Sequence, residues 1–143
     1  MTATFEKNGI SFLYPESWSV SEYSDAEDFR EVSLESPEGS IWSVSIFPTD
    51  AAPTELSESC RVALQDQYED FEFSEFSGEY CGFAAVGFDA DFYCLDFLVT
   101  AQNRAFQQLD KTYSVFCQAE SREFERNRDV FNAITMSMLS TGA

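Results

Sequence analysis

The sequence predicts an α+β fold in which one antiparallel sheet carries two helices. Two observations predict it. Residues 40–47 alternate strictly, with Trp42, Val44 and Ile46 on one face and Ser43 and Ser45 on the other, directly after a Pro37-Glu38-Gly39 turn signal. Two longer stretches, 54–70 and the segment from Ser121 to Met138, repeat apolar residues at helical spacing instead.

Taken in order, residues 10–14 and 18–22 read as strands on either side of a corner. Ile10, Phe12 and Tyr14 alternate with Ser11 and Leu13. Pro15 fixes its own φ and pushes Tyr14 toward extended backbone. Trp18 is expected to be mostly buried and to anchor this first strand pair. Residues 24–30 are polar and acidic and read as a loop. Residues 31–36 put Val32 and Leu34 on one side and pair with 40–47 as a hairpin, Gly39 supplying positive φ at the turn. Pro48 to Pro53 breaks the pattern. The first helix, 54–70, has the stripe Leu56, Cys60, Ala63, Leu64 and Tyr68, with Thr54 as candidate cap and Glu55 near the positive end.

Residues 71–77 read as an edge strand, because Glu72 and Glu75 interrupt it. Gly78-Glu79 reads as a turn. Residues 81–88 and 91–101 are strands rich in aromatic and small residues, joined by a tight turn at Asp89-Ala90. The second of them is apolar on both faces, Phe92, Cys94 and Leu98 against Tyr93, Leu95, Phe97 and Val99, and is expected in the centre of the sheet, covered on both sides. Residues 111–119 alternate Tyr113, Val115, Cys117 and Ala119 against Ser114 and Gln118. The last helix starts at Ser121 as N-cap and aligns Phe124, Val130, Phe131, Ile134 and Met138. Arg122, Arg126 and Arg128 load its front with positive charge, the unfavourable end of the dipole, so an offsetting partner is expected.

The chain of 143 residues fits a single domain, 1–143, with enough length to bury a core. Its formal charge is −18, from 26 acids and 8 bases. That field disfavours nucleic acid and anionic membranes as partners and favours basic ones; the bland reading is an acidic surface that keeps the protein solvated. The start, Met1-Thr2-Ala3-Thr4-Phe5-Glu6-Lys7, has no basic or apolar leader character, and no apolar run has transmembrane length, so a cytoplasmic location is expected. Cys60, Cys81, Cys94 and Cys117 form no C-x-x-C pair and there is no histidine. A zinc site is not expected, nor a disulfide, nor any cofactor; free buried thiols in a reducing compartment are.

Without histidine, nucleophilic triads are excluded. Two carboxylates alone run glycoside hydrolysis, and Asp89, Asp91 and Asp96 are the candidates, although Asp89 and Asp91 are better explained by a turn. Asp25-Ala26-Glu27-Asp28 and Asp89-Ala90-Asp91 are oxygen-rich but lack the spacing of a calcium loop. Gly82 and Gly87 do not form a G-x-G-x-x-G run; they read as a bulge or a close backbone approach. The aromatic excess, 15 Phe among them, is mostly core by its alternation, with a minority available to line a groove.

Gly9-Ile10-Ser11-Phe12, Tyr14-Pro15 and Trp18, the hairpin ending at Pro48, the helix near 54–70, Gly82-Phe83-Ala84-Ala85 and the closing Met136-Ser137-Met138-Leu139 together resemble the PsbP-like superfamily, in element order over nearly the whole chain. The superfamily includes the PsbP proteins of photosystem II, an import factor that binds the Ran GTPase and bacterial proteins of unknown function. One bacterial branch resembles chaperones for hydrophobic segments of type VI secretion effectors. The resemblance implies an α-β-α sandwich around a curved antiparallel sheet and a non-enzymatic binding role, with no catalytic pattern to carry over.

The reading that follows is a binding module, an adaptor or chaperone for a protein or a hydrophobic peptide, with a homodimer left open. Its binding residues are expected at Tyr93, Leu95, Phe97 and Val99, on one side of the central strands. The competing expectation is that the last helix covers these four as core. The alternative functions are a carrier of a lipid or small apolar ligand held between sheet and helix, and, more distantly, a carboxylate-based hydrolase.

Overall fold

The computed structural model describes residues 1–26, 29–48 and 50–141. Among these, the elements in chain order are β1 (Thr2–Lys7), β2 (Ile10–Pro15), β3 (Ser19–Ala26), β4 (Phe29–Glu35), β5 (Ile41–Pro48), α1 (Pro53–Gln67), β6 (Glu69–Tyr80), β7 (Phe83–Cys94), β8 (Phe97–Gln108), β9 (Lys111–Glu120) and α2 (Ser121–Thr141). β1 and β2 form a separate two-stranded ribbon, and the other seven strands form one sheet in the order β3-β4-β5-β9-β8-β7-β6. Every pairing is antiparallel. The fold is α+β.

Register decides which helix lies on which face. Trp42 pairs with Cys117, which pairs with Gln102; Ser43 pairs with Phe116, which pairs with Asn103. Because side chains alternate along a strand, these two rows face opposite sides. Trp42, Val44, Val115 and Cys117 pack with Phe124, Phe131, Ile134 and Met138 of α2, and with Ile10 and Phe12 of β2. Phe116 belongs instead to a smaller cluster of Phe92, Val99 and Ala101 with Leu64 and Tyr68. The layers are therefore α1, the seven-stranded sheet, and α2 with the β1–β2 ribbon. This is the sandwich the resemblance implies.

The β4–β5 hairpin and α2 form as expected. Trp18 is 7% exposed, but it anchors to α2 rather than to a strand pair: its ring meets Phe131 edge-on at 5.9 Å. β2 pairs with β1, not with the strand after Trp18, because Asn8-Gly9 supplies a left-handed turn (φ +51° and +84°) that the alternating apolar residues conceal. Residues expected as loop carry β3 through Ala26 and β4 from Phe29; Glu27 and Asp28 lie outside the described residues. The helix caps differ too. Ala52 occupies the α1 N-cap without a side-chain bond and Pro53 opens the helix, a position where its missing N–H costs nothing. At α2 the Ser121 hydroxyl turns away to Leu98 O and Thr100 Oγ1, and Glu120 accepts from the Arg122 N–H instead. The front-end arginines find their partners locally: Arg122 with Glu120, Arg126 with Glu123 and Arg128 with Glu125.

Two turns move. Gly78-Glu79 lies inside β6, and the chain reverses at Cys81-Gly82 (φ +51° and +90°). Asp89-Ala90 lies inside β7, and the reversal comes at Leu95-Asp96. The strand buried on both faces is therefore Ala101–Phe106 of β8, and not residues 91–101. Two of its polar members are bonded within the sheet: Asn103 Nδ2 donates to Ser114 Oγ at 3.0 Å, while Asn103 Oδ1 has no partner among the described residues, and Arg104 is held on several sides. Arg104 gives Nη2 to both carboxylate oxygens of Asp89 at 3.0 and 3.3 Å, gives Nη1 to the carbonyls of Phe88 and Asn103, and stacks over Phe76 at 3.7 Å. Gly87 faces it in register, and a Cβ there would sit 1.8 Å from Asn103 O, the close approach that only glycine permits.

Candidate functional site at the β7–β8 hairpin end

β7 and β8 pair down to Cys94 and Phe97, leaving Leu95 and Asp96 to reverse the chain. Leu95 holds φ +58°, a left-handed conformation that costs a branched residue energy and that Gly or Asn adopts readily. It is also 90% exposed. Phe97 is 60% and Tyr93 49% exposed, while Val99 is buried at 8%.

The four expected binding residues do not share a face. The reversal at Leu95-Asp96 puts Phe97 and Val99 on the α1 side with Phe92 and Cys94, and leaves Tyr93 on the α2 side opposite Leu98. Val99 belongs to the core beneath Tyr68, whose ring stacks on Phe92 at 4.3 Å. Tyr93, Leu95, Phe97 and Leu98 form an apolar end that neither helix covers. A period of two unbroken through residues 91–101 groups Leu98 with Phe92 and Cys94, and the reversal at Leu95-Asp96, which no Gly or Asn marks, puts it beside Tyr93 instead. The one available signal was the Leu-Asp pair, which recurs at Leu109-Asp110 between β8 and β9, again with a left-handed Leu (φ +57°).

The C-terminal end of α1 comes down beside this hairpin. The Tyr68 N–H closes the helix on Leu64 O at 3.0 Å, and Glu69 begins β6 opposite Tyr93. Gln67, Tyr68, Glu69, Asp70, Tyr93, Cys94 and Leu95 enclose an open cleft of about 600 Å³. Glu69 and Asp70 line it, and Glu72, Asp91 and Asp96, close by along β6 and the hairpin, are exposed. Ser121 ties the other side of the hairpin to α2, through Leu98 O at 3.2 Å and Thr100 Oγ1 at 2.8 Å.

The three candidate acids do not converge. Asp89 is committed to Arg104, Asp91 accepts from Thr100 Oγ1 at 2.8 Å, and Asp96 lies in the turn. Among the described residues, no three His, Cys, Asp or Glu side chains come together as a metal site would require. Asp25 accepts from Asn8 Nδ2 at 2.6 Å.

α1 itself lies shallow, with Ser57 its one buried residue. On one flank, Leu56, Cys60, Ala63 and Leu64 face Phe47, Ser45, Ser114 and Phe116 across a groove of about 370 Å³. Burial pushes the Cys60 thiol up to about 11, so it stays protonated.

No protein-family model matches the sequence, and no curated protein matches it. Solved structures do. The solution structure of cyanobacterial PsbP from Synechocystis sp. PCC 6803 is similar with a TM-score of 0.60 at 15% identity, over 95% of this chain and 90% of that one. A protein of unknown function from Pseudomonas aeruginosa, crystallised as a candidate regulator, has a TM-score of 0.52 at 11% identity, over 95% and 94%. LpqN of Mycobacterium tuberculosis, involved in cell envelope biogenesis, has 0.47 at 14%, over 94% and 87%. No helix among the described residues is long and apolar enough to cross a membrane. At these identities the likeness concerns architecture, and the chain has the PsbP-like fold.

Proposed function

We propose that this protein is a non-enzymatic binding module of the cytoplasm that holds an apolar segment of another protein against the end of the β7–β8 hairpin. The observation that carries the reading is the exposed apolar cluster centred on Leu95. A two-residue turn that demands left-handed backbone is served best by Gly or Asn, so Leu adds strain. Its side chain gains no burial either. Leu109 carries the same strain at the other end of β8, so it is the apolar surroundings of Leu95 that point to a contact there. Phe97, Tyr93 and Leu98 extend the patch, and the acids around the Tyr68 cleft complement a basic rim on the partner. An adaptor and a chaperone differ in the partner, and both use this contact.

The test uses a synthetic Leu/Ala-rich helix-forming peptide flanked by lysines. It is expected to bind the native chain and to lose affinity on the order of tenfold, about 1.4 kcal/mol, with Leu95→Asn or Phe97→Ser. Leu109→Asn is the matched control, since Leu109 has the same left-handed turn and comparable exposure at the other end of β8. Equal loss at Leu109, or no loss at Leu95 and Phe97, overturns the reading.

The groove beneath α1 supports a second reading, the carriage of a small apolar ligand. Leu56, Leu64, Phe47 and Phe116 supply the walls, and Ser45 and Ser114 a polar floor. Native mass spectrometry of freshly purified protein checks it: a co-purifying ligand displaced by Ala63→Trp supports carriage, and a bare chain opposes it.

A further inference from the structure

We propose that β6 is a docking edge, where an extended basic segment of a partner protein adds to the sheet as its next strand. This inference goes beyond the hairpin-end reading and stands without it. β6 ends the strand order, so its outward N–H and C=O groups have no strand partner among the described residues. It is 12 residues long and contains no proline. A bulge between Glu69 and Glu72, with Asp70 at φ +54°, disturbs its first turn of chain; from Glu72 to Tyr80 it is regular, paired residue for residue with Asp91 to Phe83. The opposite edge, β3, is shorter and is bulged between Val20 and Glu22.

Charge selects the occupant. Glu72, Glu75 and Glu79 are exposed, and none of the ion pairs among the described residues uses them. The neighbouring cations are turned to other work: Arg104 to Asp89 and Phe76, Arg61 to Gln65 Oε1 at 2.7 Å and to the Phe73 ring. A second copy is disfavoured, because β6 against β6 sets glutamates against glutamates, and β3 brings Glu22 and Asp25. A Lys- or Arg-bearing strand gains both the ladder bonds and the charge pairs.

The faces specify the segment. Glu75, Ser77 and Glu79 point to the α1 side, where two adjoining grooves of about 580 and 470 Å³ run between the Thr54–Arg61 flank and a floor of Gly78, Ala84, Val86 and Gly87. Phe76 and Gly78 point the other way. An antiparallel partner then carries basic residues four apart opposite Glu79 and Glu75, a small β-former opposite Ser77, and apolar β-formers opposite Gly78 and Phe76. Continued to Glu72, this gives Lys-Val-Thr-Val-Lys-Thr-Val-Lys.

That labelled peptide is the probe, read by fluorescence anisotropy. Two N-methylated analogues separate strand addition from adhesion to an acidic surface: one is methylated at the odd residues, the other at the even. All three carry the same charge, and only one methylated set points its nitrogens at β6. Strand addition predicts binding of the parent, loss on the order of tenfold or more for one analogue and little change for the other. The paired substitution Glu75→Gln and Glu79→Gln is expected to weaken the parent about fivefold, while Leu95→Asn leaves it unchanged, which keeps this result separate from the hairpin-end reading. No binding of the parent, or equal binding of both analogues, overturns the proposal.

Discussion

Asp89 and Arg104 sit on adjacent strands and meet through both carboxylate oxygens, the guanidinium buried and the carboxylate half exposed. The pair explains how a strand reading Gln-Asn-Arg fills the middle of the sheet. Asp89→Asn removes the counter-charge and leaves a buried guanidinium beside neutral acceptors. A loss of about 1–2 kcal/mol is expected, discounted from the cost of a fully buried pair for the open side of Asp89. Urea unfolding with the slope unchanged measures it; no shift of the midpoint would show that water substitutes fully for the carboxylate.

Gly87→Ala is the harsher change on the same strands. The new methyl group meets Asn103 O, which is backbone locked into β8 on both sides, so the strands must separate. A loss of about 3 kcal/mol or more is expected. Gly82→Ala meets nothing within 4 Å but inherits φ +90°, and should cost about 1 kcal/mol. Chemical denaturation of the two variants side by side fixes the order.

Thr135 is the hub of a buried polar triangle. Trp42 Nε1 donates to its hydroxyl at 3.0 Å, the Tyr80 hydroxyl lies 3.1 Å from it, and it returns a bond to Phe131 O. Thr135→Val keeps the shape and orphans the Trp42 donor and the Tyr80 hydroxyl. Destabilisation of about 2–4 kcal/mol is expected, against about 1 kcal/mol for Thr135→Ser, which keeps the oxygen. Equal losses for the two variants would mean that the methyl group, and not the network, matters.

Leu95→Asn and Leu109→Asn are each expected to raise stability by about 0.5–1 kcal/mol, because Asn adopts left-handed backbone more readily than Leu. Thermal melts of the two variants check this. Stability gained together with binding lost at Leu95 alone is the pattern of a residue kept for contact.

Burial holds the Cys60 thiol at about 11, above its ordinary value of 9.0. The thiol ionises earlier in the unfolded chain than in the folded one, so its contribution is fully present below about pH 9 and is lost progressively as pH rises to about 11. Cys60→Ala should flatten that part of the stability profile. A denaturant midpoint that is constant for the native chain from pH 8.5 to 10.5 would refute the assignment.

The parts of the fold that were legible in the sequence are those where turn chemistry and alternation agree. Pro37-Glu38-Gly39 with Trp42, Val44 and Ile46 gave the β4–β5 hairpin, and the Phe124–Met138 stripe gave α2. Legibility failed where tertiary contacts replaced local preference. Asp89 looks like a turn residue until Arg104 is seen across from it, and Asn103 and Arg104 look exposed until their partners are known. At the candidate site, the apolar residues were recognisable as a group, but their division between two faces depends on a reversal at Leu95 that its side chain does not announce.

The Leu13 N–H donates to Ser137 Oγ across 124 residues of sequence, and the Phe12 ring of the same ribbon meets Trp42 at a tilt, 4.9 Å between centroids, while α2 closes over it. During synthesis, Phe5, Ile10 and Phe12 leave the ribosome long before the helix that will cover them. The first strands must wait, with their aromatic face open to water, for nearly the entire chain to emerge. Such long-range closure is slow and aggregation-exposed. The formal charge of −18 works against association at that stage, since like-charged incomplete chains repel one another.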